Sequence, residues 1–296
     1  MSNIAYNKSA IASNYIKPYS ATRAVDGSVM PIDRWLANAP AYFRVDLGAP
    51  YWVNGYRVRM MGASGWSQDY NVGAFNFYVS EDSVNWSLID NVRNNSAGIV
   101  NRTFNSVKAR YVKLECGGIN INQQLTSVCE LEVFEGPAPV PELKSLALSD
   151  GTLNPVFNKD TISYTANVGY ETDSILVSAM TENPQDGVSI NGSTPTMGQA
   201  QDVVDLNVGE NTITVETTLA ADPSIKKTYT IVVTRASSAY LSDLVYKGGR
   251  GKSLDPSFSK NEDNYKATAS INPVKITPTA EDSNATITVD GQNVQS

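Results

Sequence analysis

The stretch Ala24–Gly48 holds the residues that chemistry would need first. Asp26 and Asp33 bracket a loop of carbonyls and hydroxyls, the oxygen-only setting in which a hard cation such as calcium is held. Asp26-Gly27 is a turn dipeptide, because glycine accepts positive φ and the aspartate bonds back to its own backbone. The plainer reading stands beside it: Asp26 caps its turn and Asp33 is solvated. A strand follows, in which Phe43, Val45 and Leu47 alternate with Arg44 and Asp46 until Gly48 ends it. A second loop, Gly62 to Asn71, sets Trp66 and Tyr70 among small and polar residues.

Composition removes whole classes of function. The chain has 296 residues and no histidine, so every triad with a histidine base and every histidine-ligated metal is excluded. With only Cys116 and Cys129, a cysteine-rich zinc site is excluded too. A net charge of −7 argues against nucleic acid, which needs a basic stripe, and against a polybasic membrane patch. No stretch reaches the apolar length of a membrane-spanning helix, so no membrane insertion is expected. The start, MSNIAYNKSAIASNY, lacks the basic and apolar regions of a secretory signal. Either a leader has been removed or the protein leaves the cell by another route.

The elements that must position these residues are strands. Windows with helical spacing are scarce, while short alternating runs recur between Gly, Asn, Asp and Pro: Phe75–Ser80, Arg110–Glu115, Glu130–Glu135, Asn211–Thr217 and Tyr229–Thr234. That pattern predicts an all-β protein of sandwiches. Three prolines within Pro137–Pro141 mark a stiff linker over 137–142, since proline cannot join a central strand. Beyond it an internal repeat begins. Leu143, Leu146, Leu153, Phe157, Tyr164 and Val188–Gly192 of the first copy match Leu241, Leu244, Leu254, Phe258, Tyr265 and Ile287–Gly291 of the second. The expected modules are 1–136, 143–236 and 240–296, the last one partial. Its missing strands would leave sheet edges open, so the native chain runs on or another subunit completes it.

The motifs of residues 1–136 resemble the discoidin, or coagulation factor 5/8 type C, domain, in its family 32 carbohydrate-binding flavour. They are Asn3-Ile4-Ala5, Ala24–Gly27, Trp35, Phe43–Gly48, Gly55–Arg59, Phe77–Trp86, Ala109–Leu114 and Val128–Phe134. The repeat, with its Leu-x-x-Leu, Gly-x-Leu-x-Pro-x-Phe, lone Tyr and closing Tyr-x-Ile-x-Val-x-Arg, resembles the bacterial cadherin-like β-sandwich domain. The resemblance implies an N-terminal jelly-roll β-sandwich followed by tandem Ig/cadherin-like β-sandwiches, the last one incomplete. It implies a structural calcium held by Asp26 and by Glu130 of the last strand. Asp33 stands where the family often has Thr, adding a carboxylate or losing a hydroxyl.

It further implies a sugar site on the loops at one end. The candidates are Trp66 and Tyr70 as aromatic platform, Arg59, Asn120 and Asn122 as polar partners, and Tyr19 on the first loop. Trp66 packed on its own loop and Arg59 in a structural ion pair are the competing readings. Trp35, Trp52 and Trp86 read as core or edge packing. Lipid, the family's other ligand, ranks below sugar, because no basic cluster surrounds the apolar candidates Trp66 and Ile119. Cys116 and Cys129 allow a local disulfide or two buried thiols. No acid–base pair with a nucleophile is identifiable, so a non-enzymatic role is expected. The implied function is a surface glycan-binding adhesin with β-sandwich spacers. The alternatives are a phage virion or tail decoration protein and, more remotely, an ancillary region of a secreted glycosidase.

Overall fold

A computed structural model describes residues 2–283 and 285–294, so the expected limits at 1 and 296 lie outside the described residues. The chain divides into two compact units, Met1–Pro139 and Val140–Ser296, each treated by itself.

The first unit contains β1 (Ser9–Ala12), β2 (Trp35–Asn38), β3 (Ala41–Arg59), β4 (Phe75–Ser80), β5 (Ser87–Val92), β6 (Ile99–Cys116), β7 (Leu125–Val128) and β8 (Glu130–Glu135). Two strands are long enough to serve both layers of a sandwich. The first half of β3 and the second half of β6 pair within the order β1-β3-β6-β4-β5. The register shifts between Asp46 and Tyr51 and again between Val53 and Gly55. Beyond those shifts β3 pairs with the start of β6 and with β8. A separate pair, β2 with β7, closes one side. The alternation read from the sequence sets the faces: Phe43, Val45 and Leu47 are buried, as are Val112, Leu114, Phe75 and Phe77 opposite them. Trp35 packs edge-on against Phe43 at 4.9 Å, and Tyr56 stacks on Phe77 at 4.2 Å. The expected jelly-roll sandwich is this unit.

The second unit begins with a complete sandwich: β9 (Leu143–Leu148), β10 (Ser163–Val168), β11 (Ser174–Thr181), β12 (Gly187–Ile190), β13 (Thr196–Met197), β14 (Gln199–Asp205), β15 (Gly209–Thr218) and β16 (Lys226–Arg235). One sheet runs β10-β16-β15-β12-β13 and the other β14-β11-β9. Within the first, β10 and β16 pair in parallel, from Ser163 opposite Thr230 to Val168 opposite Arg235. Its core is built on Leu143, Tyr164, Val177, Val188, Val215, Tyr229 and Ile231.

The second copy follows as β17 (Leu241–Lys247), β18 (Lys275–Ala280), β19 (Ile287–Val289) and β20 (Gln292–Val294), in two two-stranded sheets. It repeats the first in detail. Phe157 stacks on Tyr164 at 6.1 Å and Phe258 on Tyr265 at 6.3 Å. The Tyr164 hydroxyl donates to the Asn158 carbonyl at 2.7 Å, as Tyr265 does to Ser259 at 2.7 Å. Leu143 and Leu146 are buried, whereas Leu241 and Leu244 are only half-buried.

Candidate functional site

The Asp26 loop follows a single 3-10 turn, Ala21–Ala24. Gly27 takes φ +82°, and a Cβ there would meet the Tyr6 ring at 2.8 Å, so only glycine fits. Asp26 Oδ1 accepts from the Ser28 N–H at 2.9 Å, closing the expected Asx turn. Asp33 is fully engaged: Oδ1 accepts from Arg23 at 2.7 Å and Oδ2 from the Ser28 hydroxyl at 3.0 Å. Glu130 reaches the loop from the start of β8. Its Oε1 accepts from the Gly27 N–H at 3.1 Å, but Oε2 is buried with no partner. The residue is 1% exposed. Burial, with Asp26 and Glu132 nearby, pushes its carboxyl up to about 8.

An orphaned carboxylate oxygen beside a second carboxylate is the setting a divalent cation relieves. The donor set fits a hard ion held by Glu130, Asp26 and loop carbonyls. Asp33 is not among the free donors, because Arg23 already neutralises it. No group of three or more His, Cys, Asp and Glu poised to share a metal occurs among the described residues, so carbonyls would have to supply the rest.

The Trp66 loop consists of two 3-10 turns, Met61–Ser64 and Gln68–Tyr70, joined through Gly65 at φ +89°. Trp66 is 46% exposed, and its ring meets Tyr70 edge-on at 5.3 Å. Buried Asn71 holds the loop in place: Oδ1 accepts from the Gly62 N–H and Nδ2 donates to the Ser96 carbonyl, both at 2.8 Å. Asn95 ties the next loop on, donating to the Val72 carbonyl at 2.9 Å. The loop after β6 joins through its backbone, Asn120 N–H to Asn71 O at 2.9 Å and Ile121 N–H to Asp69 O at 2.8 Å. Trp66, Tyr70 and Asn120 therefore share one rigid cluster of loops.

Residues 23–114 match the family model described as NedA-like, galactose-binding domain, of the F5/8 type C kind. Residues 143–236 match the cadherin-like beta sandwich domain. The chain joins an F5/8 type C-like module to a cadherin-like one. Solved structures similar to it include chitosan-binding module 1 of a chitosanase/glucanase from Paenibacillus sp. IK-5, 27% identical, covering 45% of this chain and 99% of that one at TM-score 0.39. Another is a Clostridium perfringens module in complex with GalNAc-β-1,3-galactose, 25% identical over 45% of this chain and 99% of that one, at TM-score 0.39. A third is the family 32 carbohydrate-binding module of Streptococcus pneumoniae EndoD, 18% identical over 46% and 100%, at TM-score 0.42. A curated protein of Evansella cellulosilytica with a provisional membrane-protein name is 31% identical over 94 residues. That match takes in 32% of this chain and only 14% of the relative. Among the described residues no helix is long and apolar enough to cross a membrane.

The F5/8 type C-like module uses several expected site residues otherwise. Arg59 turns its guanidinium to Glu132 at 3.5 Å, beside Arg57 at 2.8 Å from the same carboxylate. Tyr19 lies under Arg34, 4.2 Å from ring centroid to guanidinium carbon. Asn122 is exposed and caps its own turn, accepting from the Gln124 N–H at 2.9 Å. Ile119 is no apolar spike. It is buried, because its backbone bridges to both Val72 and Asn122 and turns the side chain inward. Cys116 and Cys129 are free and buried, and burial raises the Cys116 thiol to about 12. Sequence reasoning missed Asn71 and Asn95, whose role depends on loops that only the fold assembles.

Proposed function

We propose that the N-terminal module binds a saccharide at the Trp66 loop without catalysis, and that the cadherin-like sandwiches space it from its support. The carrying observation is Trp66 itself. A ring nearly half exposed, braced edge-on by Tyr70 on a loop whose buried polar groups are bonded, is a platform for the C–H face of a pyranose. Such sites combine an apolar wall with a few fixed polar groups, here the exposed Asn120 and Asp69. The family model that matches this module is described as galactose-binding, which supports a galactose-type ligand. Arg59 stands in a 3.5 Å ion pair with Glu132 that leaves its Nε without a hydrogen-bond partner, and titrating Arg59→Ala with saccharide decides whether it serves the ligand.

Calcium in this reading holds the Asp26 loop against β8 through Asp26 and Glu130. It supplies rigidity and no chemistry. The protein acts outside the cell or at its surface, as residues 1–136, 143–236 and 240–296 strung as three modules. Calorimetric titration of the full chain with galactose- and GalNAc-containing saccharides tests the reading. Binding that disappears in Trp66→Ala supports it. A saccharide bound equally well by Trp66→Ala moves the site elsewhere, and no binding to any saccharide on an array refutes the function.

A further inference from the structure

The outer face of the β1-β3-β6-β4-β5 sheet carries charges that the fold leaves unbalanced. One row of residues crosses it: Ile11 opposite Arg44, Arg44 opposite Lys113, Lys113 opposite Tyr78 and Tyr78 opposite Leu88. Residues directly opposite on antiparallel strands project to one face, so Arg44 and Lys113 stand as adjacent like charges, an arrangement that destabilises a sheet. Among the described residues no carboxylate forms an ion pair with either. Of the acids on the same face, Asp46 is neutralised by Arg110, while Glu115 meets only neutral donors and its charge offsets one of the two cations. Asp46 accepts from Arg110 Nε and Nη2, both at 2.9 Å, and Glu115 accepts from the Tyr78 hydroxyl at 3.0 Å and Asn76 at 3.2 Å.

Aromatic rings surround one member of the pair, Lys113. The Lys113 ammonium lies 4.3 Å from the Tyr78 centroid, 4.8 Å from Trp86 and 5.6 Å from Tyr42. Ring quadrupoles hold a cation in place but do not neutralise it. Ile11 and Leu88 lie exposed at the two ends of the row. On a chain of net charge −7, two opposed cations, one of them amid three rings, are a local feature, not a consequence of overall charge.

We propose that this face is a second binding site, for an acidic polysaccharide. Tyr42, Tyr78 and Trp86 take the C–H faces of the sugar rings, and Arg44 and Lys113 together take a uronate carboxylate. Five strands spaced about 4.8 Å apart give the row a span of roughly 20 Å, which suits a chain and not a single sugar. The site shares no residue with the Trp66 loop and stands whether or not that loop binds.

The test is calorimetry on the full chain at low salt with alginate, neutral dextran and poly-L-glutamate as probes. Alginate is expected to bind, and more weakly as salt rises. Arg44→Gln and Lys113→Gln should each weaken it by roughly tenfold or more, the worth of a charge-assisted contact. Trp66→Ala should leave it unchanged. Relief of the like-charge pair should keep the melting temperature of Arg44→Gln at or above that of the parent, so a loss of binding there is not unfolding. Absence of alginate binding, or alginate binding unchanged in both Gln variants, overturns the proposal. Dextran bound as well as alginate removes the role of the cations, and poly-L-glutamate bound as well removes the role of the rings; either result overturns it.

Discussion

The Asp26 loop and the Trp66 loop are both short and glycine-hinged, yet they leave opposite things unsatisfied. The Asp26 loop has a buried carboxylate oxygen without a partner and no aromatic residue of its own over 25–34. The Trp66 loop has its buried amide bonded and a large ring in solvent. An unpartnered carboxyl under the surface is a place for an ion, while apolar area above it calls for a ligand with an apolar face. One loop is thereby suited to being held and the other to holding.

The glycines separate the two loops most sharply. Gly27→Ala should cost about 1–2 kcal/mol for the left-handed backbone and somewhat more, because the exposed Tyr6 ring must swing aside. Gly65→Ala meets nothing within 4 Å and should cost only the backbone part. All four tryptophans lie in the first unit, so fluorescence-detected melting of the full chain reads that unit alone. Equal losses in the two variants would break the distinction.

Calcium gives the next largest effect. At about a hundredfold excess over its dissociation constant it should stabilise the first unit by roughly 2.7 kcal/mol. Glu130→Gln should abolish that shift and, under chelation, melt close to the parent, because a carboxyl pushed up to about 8 is largely protonated at neutral pH and the amide replaces a neutral acid. A calcium shift that survives Glu130→Gln would place the ion elsewhere.

Trp66→Ala should lose about 1–3 kcal/mol of saccharide binding, by analogy with stacking on aromatics. Its melting temperature should hardly move. Unfolding instead would make Trp66 a packing residue.

The smallest effect is a surface one. Arg110 holds the Asp46 carboxyl below its ordinary range. A depressed carboxyl adds stability above the unfolded value, 3.8, and loses it as pH falls through the folded one. The pair is a third exposed and screened, so Asp46→Asn should flatten acid unfolding by no more than about 1 kcal/mol.

Legibility in the sequence followed how local each feature is. The alternation around Phe43 and the twin Phe–Tyr pairs of the repeat were readable, because a strand face and a short hook are fixed by neighbours in sequence. The Asx turn at Asp26 was readable for the same reason. The attachment of Arg59 to Glu132 was not, since two strands distant in sequence create it. Asp33 was expected to be available, yet Arg23 in the preceding 3-10 turn takes it. Arg44 and Lys113 each sat visibly in an alternating run, but their opposition across β3 and β6 is a matter of register. Trp86, read as packing, is half-buried beside Lys113.

The parallel pairing of β10 with β16 has a mechanical consequence. A force that draws the two ends of this sandwich apart enters β16 at its Arg235 end and, at the other end, β9 at Leu143 in the opposite sheet, so β16 is held against the pull by its neighbours β10 and β15. Where β16 is drawn lengthwise past β10, their ladder is loaded in shear, so its bonds must yield together. An antiparallel pair pulled from one end would open bond by bond, like a zip. The same hydrogen bonds that add little each to equilibrium stability thus act in concert against a lengthwise pull on β16.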